Sequence, residues 1–361
     1  MRTVFAAIVA AIAVAGSAAE AQAPRPAPTA PFPWIDAHLH LVPGTVGRAR
    51  TDFASAVITA IREMDEAGIA LAIVMPPPQV DAQDRYDHAE FVTALGRHPG
   101  RFAFMGGGGS LNAMLHRHAD PAKITEAVKA EFAVTAATII DAGAVGFGEI
   151  AALHMSAVQG HPFESVPADH ALLLLLADIA ARRDVPIDLH MDAAEGETAT
   201  PAFFKTPPNP PRLADTLGGL ERLLRHNAKA RIVWAHGGSD PIGGMSPKTI
   251  GRLMDTHANL FISLRIVGMQ AANMKHKALA GGDLDPDWRA LLTRHPDRFV
   301  IGTDSFMVAT TLRGSGPGTQ FAERNTPKLQ ATAHFLSLLP PEVAKKVSSE
   351  NAVRIYRLPS R

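Results

Sequence analysis

Six side chains of metal-binding type stand at the ends of short apolar, β-branched-rich runs in this sequence. They are His38 and His40 in IDAHLH, Glu149 in GFGEI, His190 in DLHMD, His236 in VWAHGG and Asp304 in VIGTDSF. Nitrogen and oxygen donors without sulfur suit a divalent cation, zinc first, with manganese, iron or nickel as alternatives. Two imidazoles at H-x-H spacing on a strand point to the same side, because side chains alternate. Alone, an H-x-H is as readily two unrelated polar residues. The company changes the odds: four imidazoles and two carboxylates fall at strand ends, while most of the 16 His lie in helices or loops. A cation held there draws the pKa of a bound water toward neutrality and polarises a substrate carbonyl. Asp304 can then take the water's proton and later deliver it to a leaving group, and His236 is placed to stabilise the oxyanion.

Bringing these groups together requires strands whose C-terminal ends converge. From residue 34 onward, short apolar runs alternate with stretches of helical period, the pattern of repeated βα units. The strands are predicted at 34–39, 69–75, 102–105, 145–150, 187–191, 232–235, 261–266 and 299–302. Helical periodicity covers 52–67, 122–142, 169–183, 213–227, 247–257, 286–294 and 327–338. Eight such units predict an α/β fold, a single (β/α)8 TIM barrel over residues 34–361, whose catalytic groups sit at the C-terminal strand ends. RHPGRF at 97–102 and RHPDRF at 294–299 each join a helix to a strand on the opposite, stabilising face, so His98 and His295 read as turn residues.

The whole chain has 361 residues, with Lys plus Arg at 35 and Asp plus Glu at 35. No global field attracts nucleic acid, and no long basic run supplies a local one. Residues 1–21 have one Arg, a short apolar run and an A-x-A exit, the layout of a secretory signal peptide, followed at 22–33 by a Pro/Ala-rich linker. The expectation is a periplasmic or secreted protein without stable membrane insertion after signal cleavage. With no Cys, there is no disulfide, thiolate ligand or Cys nucleophile. The expected partner is a small-molecule substrate; a homo-oligomer is left open.

The ordered set H-x-H, strand-four Glu, His, His and G-T-D resembles the amidohydrolase superfamily, in particular its amidohydrolase-related (amidohydrolase 2) branch. The resemblance runs from about residue 34 to 357 and includes the closing NAVRIYRL. It implies a metal-dependent hydrolase in which His38, His40, His190 and Asp304 bind metal, zinc most of all, as one or two ions. His236 would contact the bound water or substrate oxygen, or bind a second metal. Some relatives use a strand-four carboxylate to bridge two metals, many others a carbamylated Lys. No Lys lies between Val145 and Leu153, so Glu149 is either a bridge or a structural Glu. The substrate bond would be an amide, lactone or ester. The alternative is a metal-dependent, non-oxidative decarboxylase resembling aminocarboxymuconate-semialdehyde decarboxylase, which generally does not need the strand-four Glu.

Asp192 reads as a hydrogen-bond partner, and Arg265 as a group that meets a substrate carboxylate or pairs with a neighbouring acid. GGGG at 106–109 lacks the Lys and Ser/Thr of a P-loop and reads as a rim loop. No G-x-S-x-G elbow occurs. The loops at 195–213, with Phe203 and Phe204, and at 313–320 should define the substrate.

Overall fold

The computed structural model describes residues 30–46, 49–80, 85–157, 161–204, 208–267, 271, 273–312 and 325–359. The expected signal peptide, most of the expected linker and the loop at 313–320 lie outside them. Eight parallel strands form the core: β1 Trp34–Val42, β2 Ile69–Val74, β3 in two pieces (Phe102–Phe104 and Gly106–Gly107), β4 Phe147–His154, β5 Pro186–Met191, β6 Arg231–Gly237, β7 Leu260–Leu264, and β8 in two pieces (Phe299–Ile301 and Ser305–Val308).

Both divided strands change partner midway. The first piece of β3 pairs with β2, Ala72 opposite Phe102, and the second with β4, Gly106 opposite Phe147. Likewise the first piece of β8 pairs with β7, Ile262 opposite Phe299, and the second returns to β1, Leu39 opposite Ser305. With β4–β5, β5–β6 and β6–β7 also parallel, the ring closes. The chain is therefore a (β/α)8 barrel, as the alternating pattern predicts.

Around it run α1 Phe53–Ala67, α2 His88–Leu95, α3 Leu111–Arg117, α4 Glu126–Asp141, α5 Ala171–Arg183, α6 Leu217–His226, α7 Pro247–Thr256, α8 Pro286–Arg294 and α9 Asn325–Ser337. Local chemistry sets their ends. Asp52 is not the first helical residue but the cap of α1, its carboxylate accepting from Ser55 N, and Gly68 ends that helix at φ 74°, where only glycine is free of strain. Sequence periodicity missed α2 and α3, both short. Yet α2 opens on a capping box, Asp87 with Glu90. His98 and His295 stand in the turns before β3 and β8, as expected. No helix among the described residues is long and apolar enough to cross a membrane.

The apolar core has two parts. Outward residues of the strands, such as Leu39, Leu189, Trp234 and Ile262, pack beneath the helices. Residues alternating with these, including Ile73, Val233, Phe261 and Val300, form a second cluster with Ile355, Tyr356 and Leu358 from the C-terminal segment, which plugs the barrel floor. The polar groups therefore cluster above a sealed base. The glycine run is partly strand. A Cβ on Gly108 would lie 2.5 Å from Pro76 O, so the close backbone approach there requires glycine. Asp87 pins the segment, accepting from Gly107 N at 2.9 Å and Ser110 Oγ at 2.6 Å.

Candidate metal centre

β1 carries His38 and His40, whose Nε2 atoms face each other at 3.1 Å. Their other nitrogens explain that orientation. His40 Nδ1 lies 2.9 Å from Met75 O, and His38 Nδ1 lies 3.2 Å from the buried Asp188 carboxylate. The His40 Nδ1–H directed at an oxygen leaves its Nε2 lone pair for the site, and the His38–Asp188 contact, an ion pair without hydrogen-bond geometry, favours the same orientation.

The fourth strand differs from the sequence expectation. It does not end at Glu149 but runs on to His154, so Glu149 projects from mid-strand into the barrel instead of standing at its rim. Past Gly107, β3 offers β4 no further ladder partner. Side chains one turn apart on α3 replace it: Asn112 Oδ1 accepts from Ala151 N at 2.9 Å, and His116 Nε2 lies 3.0 Å from Ala151 O.

Glu149 divides the histidines. Its Oε2 is 3.4 Å from His38 Nε2 and 3.3 Å from His40 Nε2, while its Oε1 is 2.6 Å from His190 Nδ1 and 3.1 Å from His236 Nε2. His190 Nδ1 and His236 Nε2 are 3.0 Å apart. Asp304 joins the first pair, Oδ1 lying 3.3 Å from His40 Nε2. The six expected residues thus converge on one mouth. Five of them form two triads that share Glu149, His38–His40–Glu149 and Glu149–His190–His236, and Asp304 stands beside the first.

These spacings fit a cation. Tetrahedral zinc with bonds of about 2.0–2.1 Å separates its ligand atoms by roughly 3.3–3.4 Å. The first triad, at 3.1–3.4 Å, matches this, while the second is drawn tighter by the His190–Glu149 hydrogen bond. His236 Nδ1 and Asp188 Oδ2 are buried without a hydrogen-bond partner among the described residues. Such a density of buried polar groups is costly unless something compensates it.

Electrostatics agree. Burial opposes charge on Glu149, but the neighbouring His38 and His190 outweigh it and hold the carboxyl well below its ordinary range. Burial likewise opposes a proton on His190, yet Glu149 and Asp192 carry it up to about 10. His236 goes the other way: burial and the charge of His190 push it down to about 3, leaving a neutral imidazole. Asp304 is kept ionised against burial by Arg265 and His40.

The loop that presents Asp304 is tightly specified. Asp36 Oδ1 accepts from Thr303 N at 2.9 Å and its Oδ2 from Thr303 Oγ1 at 2.5 Å, tying the G-T-D segment to β1. Asp304 N donates to His38 O at 2.9 Å. Asp304 and His236 adopt left-handed backbone, φ 52° and 71°, a strain of order 1–3 kcal/mol for each non-glycine residue. Arg265 pairs with this neighbouring acid, Nε 3.2 Å from Asp304 Oδ2. Asp192 is a partner as expected, accepting from Met155 N at 3.1 Å and lying 3.8 Å from His190 Nε2.

Two residues at the centre were not singled out in the sequence, Asp36 and Asp188. Asp188 was within reach of the alternation rule, since it stands two residues before His190 on β5 and shares its face. Nothing comparable marked His154, whose ring packs edge-on against His190 at 4.1 Å.

Residues 35–358 match the family model described as Amidohydrolase. The chain belongs to the amidohydrolase family. With its His/Glu cluster, this amidohydrolase is a metal-dependent enzyme carrying a divalent-metal site. No curated protein matches the sequence. Among solved structures, it resembles a TatD homolog from Escherichia coli K12 (16% identity, TM-score 0.49, covering 90% of this chain and 98% of that one). A dihydroorotase from Campylobacter jejuni is similar (16%, 0.49, 91% and 84%). So is a dihydroxybenzoic acid decarboxylase from Polaromonas sp. JS666 with bound manganese (14%, 0.49, 91% and 98%). At that identity and TM-score the likeness says nothing about the reaction.

Proposed function

We propose that this amidohydrolase is a hydrolase that cleaves an amide, lactone or ester bond of a small molecule with a metal-activated water. One observation carries the reading. The two oxygens of Glu149 face different imidazole pairs, which suits a carboxylate shared by two ions and is not needed by a one-metal decarboxylase. His38, His40 and Asp304 would hold one ion, His190 and His236 the other, and Glu149 both. Zinc suits this sulfur-free donor set best. When bound, such ions lower the pKa of water and polarise the scissile carbonyl.

The remaining work falls to the chain. Asp304 accepts the water's proton on its carboxylate and returns it to the leaving group, a contribution of about 10²–10⁴-fold. Arg265, against Oδ2, keeps that carboxylate ionised and turned toward His40. Asp188 and Met75 O hold His38 and His40 with Nε2 facing inward. Asp36 and Thr303 fix the loop from which Asp304 reaches over the mouth. The leader composition supports export, with the mature chain starting near Gln22 in the periplasm or outside the cell.

A screen of lactones, N-acyl compounds and aromatic acids against the metal-loaded protein tests the proposal. A new carboxylic acid with water consumed is the expected product. Release of carbon dioxide from an aromatic acid, with no hydrolysis of the other classes, would overturn it.

A further inference from the structure

We infer that Arg265 anchors a carboxylate of the substrate, so that the amidohydrolase acts on short, anionic compounds such as N-acylated amino acids. This rests on the hydrolytic reading above and adds the substrate class to it.

Arg265 follows β7 directly, and its backbone N donates to Gly237 O at 2.9 Å, next to His236. The side chain is therefore rooted in two barrel strands and not in a loose rim loop. Phe261 and Ser263 precede it on the inward face of β7, since Leu260, Ile262 and Leu264 pack outward under the helices. Arg265 thus points into the mouth, and its side chain remains 26% exposed.

Its ion pair uses only part of the guanidinium. Nε lies 3.2 Å from Asp304 Oδ2 but lacks hydrogen-bond geometry, and no described residue engages the terminal nitrogens. A guanidinium presents five N–H groups in a rigid fork matched to a carboxylate, so most of its donors here are unspent. Asp304 has competing demands, because its Oδ1 already faces His40. A cation gathered at Oδ1 would take over much of the Asp304 charge. Arg265 would then be a partly buried positive group without a full counter-charge, a costly arrangement that an anionic substrate relieves. The fork adjoins the proton-carrying carboxylate, which places the anion within a few bonds of the scissile group. Long-chain neutral esters and lactones offer nothing there.

The test separates this subsite from the reaction. Two hydroxamates share one metal-binding head: succinic acid monohydroxamate bears a carboxylate, and its methyl ester does not. Calorimetric titration of each into the zinc-loaded full-length protein reads the difference without requiring turnover. The acid should bind about 10- to 100-fold more tightly than the ester, as expected for a charge-assisted pair. Arg265→Gln should erase that difference, and Arg265→Lys should restore part of it. Equal affinities in the wild type, or a preference that survives in Arg265→Gln, would overturn the proposal. So would an equal weakening of the acid and the ester in zinc-saturated Arg265→Gln, since Arg265 would then act only by positioning Asp304. A screen without hydrolysis alongside an intact acid preference would sink the hydrolase reading and leave the anion subsite standing.

Discussion

The carboxylate of Asp188 lies 3.2 Å from His38 Nδ1, on the side of the imidazole away from Glu149, and both groups are fully buried. The pair sets which nitrogen of His38 is offered to a cation. Loss of such an outer carboxylate commonly costs 10–100-fold in metal affinity. Asp188→Ala should therefore weaken zinc binding by about that factor, measured by competition with a chromophoric chelator. An unchanged dissociation constant would show that His38 is oriented by packing alone.

Asp304→Asn should leave the barrel folded and cut turnover by about 10²–10⁴-fold, because an amide cannot take the water's proton. Circular dichroism and steady-state kinetics on whichever substrate the screen identifies check both halves. Near-normal turnover with metal in place would remove Asp304 from the proton path.

Metal loading should release protons. In the metal-free protein His190 is raised to about 10, and His38 is held well above the ordinary imidazole value by Asp188 and Glu149 against the opposing effect of burial. Both hold a proton more tightly than a free imidazole, and a cation must displace it, so apparent affinity should fall as pH is lowered. The same shifts stabilise the metal-free fold. For His190, whose folded value is raised, that contribution is complete below the ordinary imidazole value of 6.5 and is lost as pH rises through about 10. Calorimetry in buffers of different ionisation enthalpy counts the protons; uptake of metal with none released would contradict the account.

Asn112→Ala should destabilise the protein by about 1–3 kcal/mol, because it strips partners from buried groups. Asn112 serves Ala151 N through Oδ1 and the buried Glu164 carboxylate through Nδ2, at 2.9 and 2.8 Å. Urea denaturation reads the change. A shift within about 0.5 kcal/mol, typical of surface sites, would mean that β4 does not depend on this brace.

All eight strands were legible in the sequence, because strands buried on both faces appear as apolar runs. The end of the fourth was not. Beyond Glu149 the run Ile150–Ala151–Ala152–Leu153 is held as strand partly by Asn112 and His116, a tertiary support that no local pattern reveals. The identities of the six site residues were readable from their places at strand ends. Their division into two triads depends on where each ring nitrogen points, which Asp188, Met75 O and Glu149 decide in space.

The most direct test of the account is the metal-to-protein ratio of the purified wild type beside Glu149→Gln, measured by elemental analysis after dialysis. A carboxylate shared by two ions predicts about two equivalents of metal in the wild type. It predicts a clear loss of metal in Glu149→Gln, because the amide is neutral and offers one acceptor atom instead of two. One equivalent in the wild type, retained in full by an active Glu149→Gln, would contradict the shared-carboxylate centre and the hydrolytic reading built on it.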